Sequence, residues 1–167
     1  SNQQLVPVLK HQDGHISDSW NIINWLDENY ENPKLFVNEA SKNFSHFLYL
    51  WTSRQILPIL FKIIAHEIPN ILEGDDLNHY IITREERING PITKFVPVIS
   101  DSIKNFRSLI NPMRSLIKKN GFISGSNPGI EDFIFFGNFK LTESSESIVY
   151  IMIPVFVFIR NCYNRCC

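Results

Sequence analysis

Residues 121–136 read GFISGSNPGIEDFIFF, a turn-rich connector that leads into an apolar segment. Glycine and proline punctuate 121–129 and predict a turn there. Residues 130–141 are apolar on nearly every side, which is typical of a helix buried inside a domain. Asp132 follows Gly129 by three residues, so its carboxylate faces the free N–H groups of the first helical turn. The stretch therefore predicts a buried helix with Gly129 as its N-cap residue and Asp132 as a structural capping residue.

Helical periodicity continues upstream of this connector as far as Glu39. A broad apolar stripe at helical spacing, with a bend expected at Pro58, predicts a long helix. Its members are Phe44, Phe47, Leu48, Trp51, Ile56, Leu60, Ile63 and Ile64. A polar break is predicted over Glu73–His79, and Asn89-Gly90-Pro91 is a helix stop and turn signal. Residues Ile92–Lys119 are predicted to form one further helix, bent by two prolines.

The first 36 residues have a different pattern. Leu5–Leu9 and a second short run including His15–Ile16 lie on either side of Lys10–Gly14, a polar turn that ends in Asp-Gly. This arrangement predicts a β-hairpin. Asp18-Ser19 then offers side-chain oxygens for a helix N-terminus, and the helix is expected to end near Asn32-Pro33. The order strand, turn, strand, helix follows.

Composition narrows the possible functions. The 167 residues include 44% apolar residues, and sixteen Lys and Arg against seventeen Asp and Glu leave a net charge of −1. This balance gives no basic surface for nucleic acid. The three cysteines all lie in the last six residues, and a body free of cysteine fits a reducing compartment. The longest apolar run, Ile148–Ile159, would span about 18 Å as a helix, so we expect no membrane attachment.

Three sets of residues along 5–141 occur in the order found in a known family. The first set is Val6-Pro7-Val8-Leu9, Gly14, Ile16, Asp18-Ser19, Ile23, Leu26 and Leu35-Phe36. The second is Thr83-Arg84-Glu85-Glu86-Arg87 with Gly90. The third is Gly121-Phe122-Ile123-Ser124-Gly125, Pro128-Gly129-Ile130-Glu131-Asp132 and Phe135-Phe136-Gly137. Together they resemble the glutathione transferases, and among these the fungal-type classes (nitrogen-regulator-like or fungal-specific).

The resemblance implies a mainly α architecture in two parts. Residues 1–36 would be a partial thioredoxin-like α/β domain, consisting of a β-hairpin plus a helix. Residues 37–141 would be the all-α C-terminal domain of the family. The first strand–helix unit of the family is expected upstream of Ser1, so the resemblance implies a truncated N-terminal domain. Residues 142–167 do not resemble the closing helices of the family and are assigned to a divergent tail of uncertain origin.

The resemblance also assigns glutathione-binding residues. The backbone of Val6, exposed by a cis bond to Pro7, would pair with the cysteinyl part of glutathione. Asp18 would accept from the ammonium of the γ-glutamyl end, and Ser19 would donate to its carboxylate. From the residues alone, an ordinary edge-strand proline and a simple helix cap remain alternatives. Glu131 stands where the family keeps a small residue, which is unusual for a buried helix.

A function follows from the resemblance as an expectation. Members of the family lower the pKa of the glutathione thiol, and the thiolate attacks an electrophilic small molecule in detoxification. The thiol-activating residue is expected upstream of Ser1, so we expect weak or no activity from this chain alone. Glutathione is the co-substrate, and no other cofactor or metal is expected. A cytoplasmic homodimer is expected for the full-length form. The alternative is a non-catalytic, glutathione transferase-like regulatory or protein-interaction module.

Two other groups of residues have side chains of the kinds found in functional sites. His66-Glu67 begins like a zinc-protease motif, but Asn70 stands where the second histidine is needed. Arg84 and Arg87 could reach an anionic substrate, although ion pairs with neighbouring glutamates are the expected arrangement. Neither group was assigned a function.

Overall fold

A computed structural model of the chain describes residues 6–31 and 34–140, the side chains of 139 and 140 excepted. The predictions for the tail 142–167 and for the helix stop at Asn32-Pro33 lie outside these residues. Within them the protein is mainly α, with a short antiparallel hairpin at its N-terminal end. The predicted fold class is confirmed at this level.

The hairpin consists of strands β1, Val8–His11, and β2, Gly14–Ser17, with Leu9 opposite Ile16. Its loop is only two residues long, so the predicted turn over Lys10–Gly14 is too wide. Exposed and half-buried residues alternate along β1. The polar Lys10 therefore fits the strand on its exposed face, because side chains alternate between the two faces.

Within the described residues, six helices follow the hairpin and begin after short connections. They are α1, Ser19–Asn29; α2, Glu39–Ile64; α3, Gly74–Ile88; α4, Ile99–Leu109; α5, Asn111–Asn120; and α6, Ile130–Lys140. Two 3-10 segments, Ile68–Ile71 and Ile92–Val98, lie between them.

Two helix boundaries differ from the sequence predictions. The single helix predicted over Ile92–Lys119 is wrong: a 3-10 segment, α4 and α5 occupy it. Pro112 lies in the first turn of α5, where a missing N–H costs nothing, so it starts a helix instead of bending one. The polar break predicted over Glu73–His79 is also wrong, because α3 begins at Gly74. Acidic residues are favoured in a first helical turn by the helix dipole, so polarity does not end a helix there.

Helix α2 contains a π-helical turn, Thr52–Ile56, just before Pro58. Proline has no N–H and its ring crowds the carbonyl one turn earlier, so the turn widens instead of closing normally. Hydroxyl groups accompany this turn: Thr52 donates to the carbonyl of Leu48 at 2.9 Å, and Ser53 to that of Tyr49 at 2.5 Å. The bend expected at Pro58 is thus accommodated by a local change in helix type.

The core lies between α2, helices α4, α5 and α6, and the connector that precedes α6. Its buried members are Leu48, Ile56, Leu60, Ile63, Ile64, Phe106, Ile110, Met113, Ile123 and Phe135. A smaller cluster of Ala65, Tyr80 and Ile92 joins α3 to the end of α2. Among the described residues, α2 is long and apolar enough by length and composition to cross a membrane. One such helix is weak evidence, because the core helix of a soluble protein meets the same criterion.

Candidate functional site

The chain enters the hairpin through Val6 and Pro7, which precede β1. The peptide bond between them is cis. The Val6 side chain is 91% exposed, so the segment lies at the surface. The resemblance places the cysteinyl part of glutathione at this point.

Asp18 is the N-cap residue of α1 and has a positive φ of 76°. Its Oδ1 accepts hydrogen bonds from the backbone N–H groups of Trp20, at 3.0 Å, and Asn21, at 3.1 Å. One oxygen of the Asp18 carboxylate therefore caps the helix, as the simple-cap alternative predicts. Ser19 is the first residue of the helix, so its N–H has no acceptor inside the helix. Its hydroxyl makes no hydrogen bond to any residue that the structure describes.

The second oxygen of Asp18 faces an aromatic cluster that joins α1 to α2. Tyr49 donates its hydroxyl to Asp18 Oδ2 at 3.3 Å. Trp20 stacks on His46 with 4.5 Å between ring centroids and lies 5.7 Å from the ring of Tyr49. Burial, and then the negative charge of Asp18 and this hydrogen bond, raise the pKa of Tyr49. Tyr49 therefore stays protonated and remains a donor at neutral pH.

Sequence reasoning missed both His46 and Tyr49. They lie three residues apart on one face of α2, a spacing that is visible in the sequence. Their contact with α1 is not visible, because it depends on how the two helices pack. The result is a surface on which a carboxylate acceptor, a free helix N–H and a hydroxyl group lie side by side. Such a surface can bind a zwitterion.

Asp132 caps α6 and also fixes the connector before it. Its Oδ1 accepts from the backbone N–H of Ile123 at 2.8 Å, and its Oδ2 from those of Ser124 and Gly129 at 3.2 and 3.1 Å. The Asp132 side chain and Ile123 are buried, so the bond between them is shielded from water, whereas Ser124 is exposed and Gly129 is half-buried. Asp132 and Gly129 thus occupy the structural positions that the sequence assigned to them, and the bonds to Ile123 and Ser124 are an addition.

Glu131 is buried beside this cap and is bonded to two hydroxyl groups. Ser45 of α2 donates to its Oε1 at 2.7 Å, and Ser124 donates to its Oε2 at 2.5 Å. The unusual carboxylate on the buried helix therefore ties α6 to α2 and to the connector. Its partners could not be identified from the sequence, because Ser45 lies 86 residues away.

A cavity of about 660 Å³ lies between the second half of α2, helix α3 and the segment Ile92–Val98. Arg84 and Arg87 of α3 line it. The ion pairs predicted for them are wrong: within 6–31 and 34–140 neither guanidinium pairs with a carboxylate. Glu85 instead accepts from the backbone N–H of Ile92 at 3.1 Å.

Tyr80 supports the wall of this cavity, and we expect its hydroxyl to contribute about 1 kcal/mol to stability. The hydroxyl donates to the buried carbonyl of Ala65 at 3.2 Å. Burial raises the pKa of Tyr80, although the positive charge of Arg84 opposes this, so the hydroxyl stays protonated and keeps this bond at neutral pH. Denaturant unfolding at neutral pH should show the loss in Tyr80→Phe and almost none in the exposed Tyr30→Phe. Equal losses would contradict the assignment.

The structure also bears on metal binding. In the described part of the chain, no three His, Cys, Asp or Glu side chains are grouped to hold a metal ion. His66 Nε2 lies 3.7 Å from Glu67 Oε1.

No model of a known protein family matches the chain. The resemblance to glutathione transferases therefore rests on the residues quoted above alone.

Proposed function

We propose that the chain belongs to a glutathione transferase-like protein, which conjugates the glutathione thiolate to electrophilic small molecules in its full-length form. The observation that carries this proposal is the pair Asp18 and Ser19 at the beginning of α1. An exposed carboxylate beside a free N–H and hydroxyl matches the two charges of a γ-glutamyl group. The helix dipole adds to the attraction for the ligand's carboxylate.

Both residues can bind glutathione while the helix stays capped. Asp18 uses Oδ1 for the cap, and among the described residues its Oδ2 accepts only the 3.3 Å bond from Tyr49. An ammonium group can therefore approach Oδ2 without breaking the cap. Val6, at the surface before β1, would contribute backbone groups to the cysteinyl part. None of Val6, Asp18 and Ser19 is the thiol-activating residue. Variants of these residues therefore test glutathione binding.

We expect Ser19→Ala to weaken glutathione binding by about tenfold, because it removes a hydrogen bond to a charged group. Titration calorimetry of the 167-residue chain with glutathione measures this. Ser100→Ala is the matched control, since Ser100 is an exposed serine in the first turn of α4. Cysteinylglycine, which lacks the γ-glutamyl group, should bind both variants equally.

Three results separate the possibilities. Failure of the wild-type chain to bind glutathione, or equal affinities of Ser19→Ala and Ser100→Ala, would contradict the site. Binding without conjugation of a generic electrophile, in a form that also carries the upstream sequence, would favour the non-catalytic module. Dependence of conjugation on Ser19 in that longer form would support the transferase.

A further inference from the structure

Tyr49 of α2 meets Asp18 at the oxygen that is left for an ammonium group. Its hydroxyl lies 3.3 Å from Asp18 Oδ2, whereas the helix cap uses Oδ1. Asp18 is exposed and Tyr49 is half-buried, and the hydrogen bond lies at the surface, where a ligand can reach both oxygens. Tyr49 is not among the glutathione-binding residues that the resemblance assigns. Its contact with Asp18 is therefore a feature of this chain that the resemblance does not explain.

The direction of this hydrogen bond determines what Tyr49 offers to a ligand. An ionised carboxylate only accepts, so Tyr49 is the donor. Burial, and then the negative charge of Asp18 and the hydrogen bond, raise the pKa of Tyr49, so the hydroxyl keeps its proton at neutral pH. The single hydrogen of the phenol is used in this bond. Its oxygen therefore turns lone pairs to the ligand and can act only as an acceptor.

Trp20 holds both members of this pair in place. Its backbone N–H donates to Asp18 Oδ1 at 3.0 Å, and its ring centroid lies 5.7 Å from that of Tyr49. His46 stacks on the indole at 4.5 Å, and the ring of Phe36 lies 5.7 Å from it. The carboxylate and the phenol are thus already positioned when a ligand arrives, which lowers the cost of ordering them on binding.

Together the pair presents two acceptor oxygens and one negative charge. Asp18 Oδ2 and Tyr49 Oη are 3.3 Å apart, so one nitrogen with two N–H bonds can reach both. A primary ammonium group has three N–H donors on one nitrogen and a positive charge. An acylated amine has a single N–H and no charge. The arrangement therefore favours a free ammonium group over an acylated one.

We propose, on the basis of the glutathione binding proposed above, that Tyr49 is a binding residue for the γ-glutamyl ammonium group and makes the site specific for it. The ammonium group donates one N–H to Asp18 Oδ2 and another to Tyr49 Oη, while the phenol continues to donate to Asp18. The preferred ligands are glutathione and its conjugates with a free amino group, over their N-acylated and amine-free forms. Because Asp18 caps α1 and Tyr49 belongs to α2, the ammonium group bridges the two helices.

Titration calorimetry of the 167-residue chain with two ligands tests Tyr49. The ligands are glutathione and glutaryl-cysteinylglycine, which is glutathione without its amino group. Tyr49→Phe should weaken glutathione binding by about fivefold or more, because it removes a hydrogen bond to a charged group. The affinity for glutaryl-cysteinylglycine should change by less than about twofold, because this ligand has no ammonium group to lose that bond. Tyr30→Phe, at an exposed tyrosine directly after α1, is the matched control and should change neither affinity.

Asp18→Asn shows whether the two residues act together. Asparagine keeps an oxygen for the cap, but it has no charge, and its Nδ2 would donate to Tyr49 Oη and occupy the acceptor. This variant should therefore bind the two ligands with similar affinities. Adding Tyr49→Phe to it should then weaken glutathione binding much less than Tyr49→Phe does in the wild type. Additive losses in the double variant would contradict a shared site.

The ligand pair also separates binding from a structural role. Tyr49→Phe keeps the ring that packs on Trp20, so it should unfold in denaturant close to the wild type. Equal losses of affinity for both ligands would mean that Tyr49 only ties α1 to α2, and this would overturn the proposal, as would unchanged affinities. Failure of the wild type to bind glutathione would overturn the proposed function together with this role of Tyr49. Glutathione binding that does not depend on Tyr49 would remove the role of Tyr49 alone.

Discussion

Replacement of Asp132 by alanine should lower the free energy of unfolding by about 3 to 5 kcal/mol, a large fraction of the total for a domain of this size. One buried carboxylate accepts three backbone N–H groups, from Ile123, Ser124 and Gly129. Alanine offers none of these acceptors, and all three donors belong to the connector 121–129, which contains no helix or strand. The N–H of the buried Ile123 would lose its partner, and an unpaired buried donor is what makes such a substitution costly.

Denaturant unfolding followed by circular dichroism measures this loss. Asp101→Ala is the control, because Asp101 also lies in a first helical turn. Its bond to Lys104 is at the surface, since the side chains of Lys104 and Asp101 are 74% and 82% exposed. Such an exposed pair contributes about 0 to 1 kcal/mol. Amide exchange at Ile123 and Ser124 should also accelerate in Asp132→Ala. Similar losses in the two variants would show that the cap is not a major source of stability.

The elements that could be predicted from the sequence depend on local chemistry. The hairpin follows from short alternating runs around Asp13-Gly14, and α6 follows from an apolar segment after a glycine-rich turn. The errors have local causes as well. The sequence predicts a bend at Pro112, although this proline starts a helix. It predicts a break at the acidic residues that begin α3, although acidic residues suit a first turn.

The parts that could not be predicted depend on contacts between distant residues. Tyr49 reaches Asp18 across 31 positions, and Ser45 reaches Glu131 across 86. The spacing of residues within one helix gives no information on which neighbouring helix it meets. The unpaired state of Arg84 has the same origin, because adjacent glutamates on a helix do not face each other. Candidate sites that combine several helices are therefore found only once the packing is known.

A substitution at Gly129 should have the second large effect on stability, and the structure changes the effect that the sequence predicts. Glycine in place of a hydroxyl residue at an N-cap costs only a few tenths of a kcal/mol of stability. From the sequence alone, serine at 129 is therefore predicted to increase stability slightly. However, a Cβ atom at this position would lie 2.5 Å from Ser124 Oγ, 2.8 Å from Ser124 Cβ and 3.0 Å from Glu131 Oε2. The space for a side chain is already filled by the Ser124–Glu131 hydrogen bond.

Gly129→Ser should therefore destabilise the protein by about 2 to 3 kcal/mol, because the connector must shift away from α6 to relieve the overlap. Gly137→Ser, on the exposed part of α6 where a Cβ meets nothing within 4 Å, is the matched control and should be neutral or slightly stabilising.

The double variant Gly129→Ser/Ser124→Gly distinguishes steric overlap from a change in backbone flexibility. Removing the Ser124 side chain opens the space that the new serine needs, so the double variant should lose less stability than the sum of the two single losses. Additive losses in denaturant unfolding, or a Gly129→Ser protein as stable as the wild type, would mean that the connector moves freely. In that case Glu131 and Ser124 would not determine which residue can begin α6.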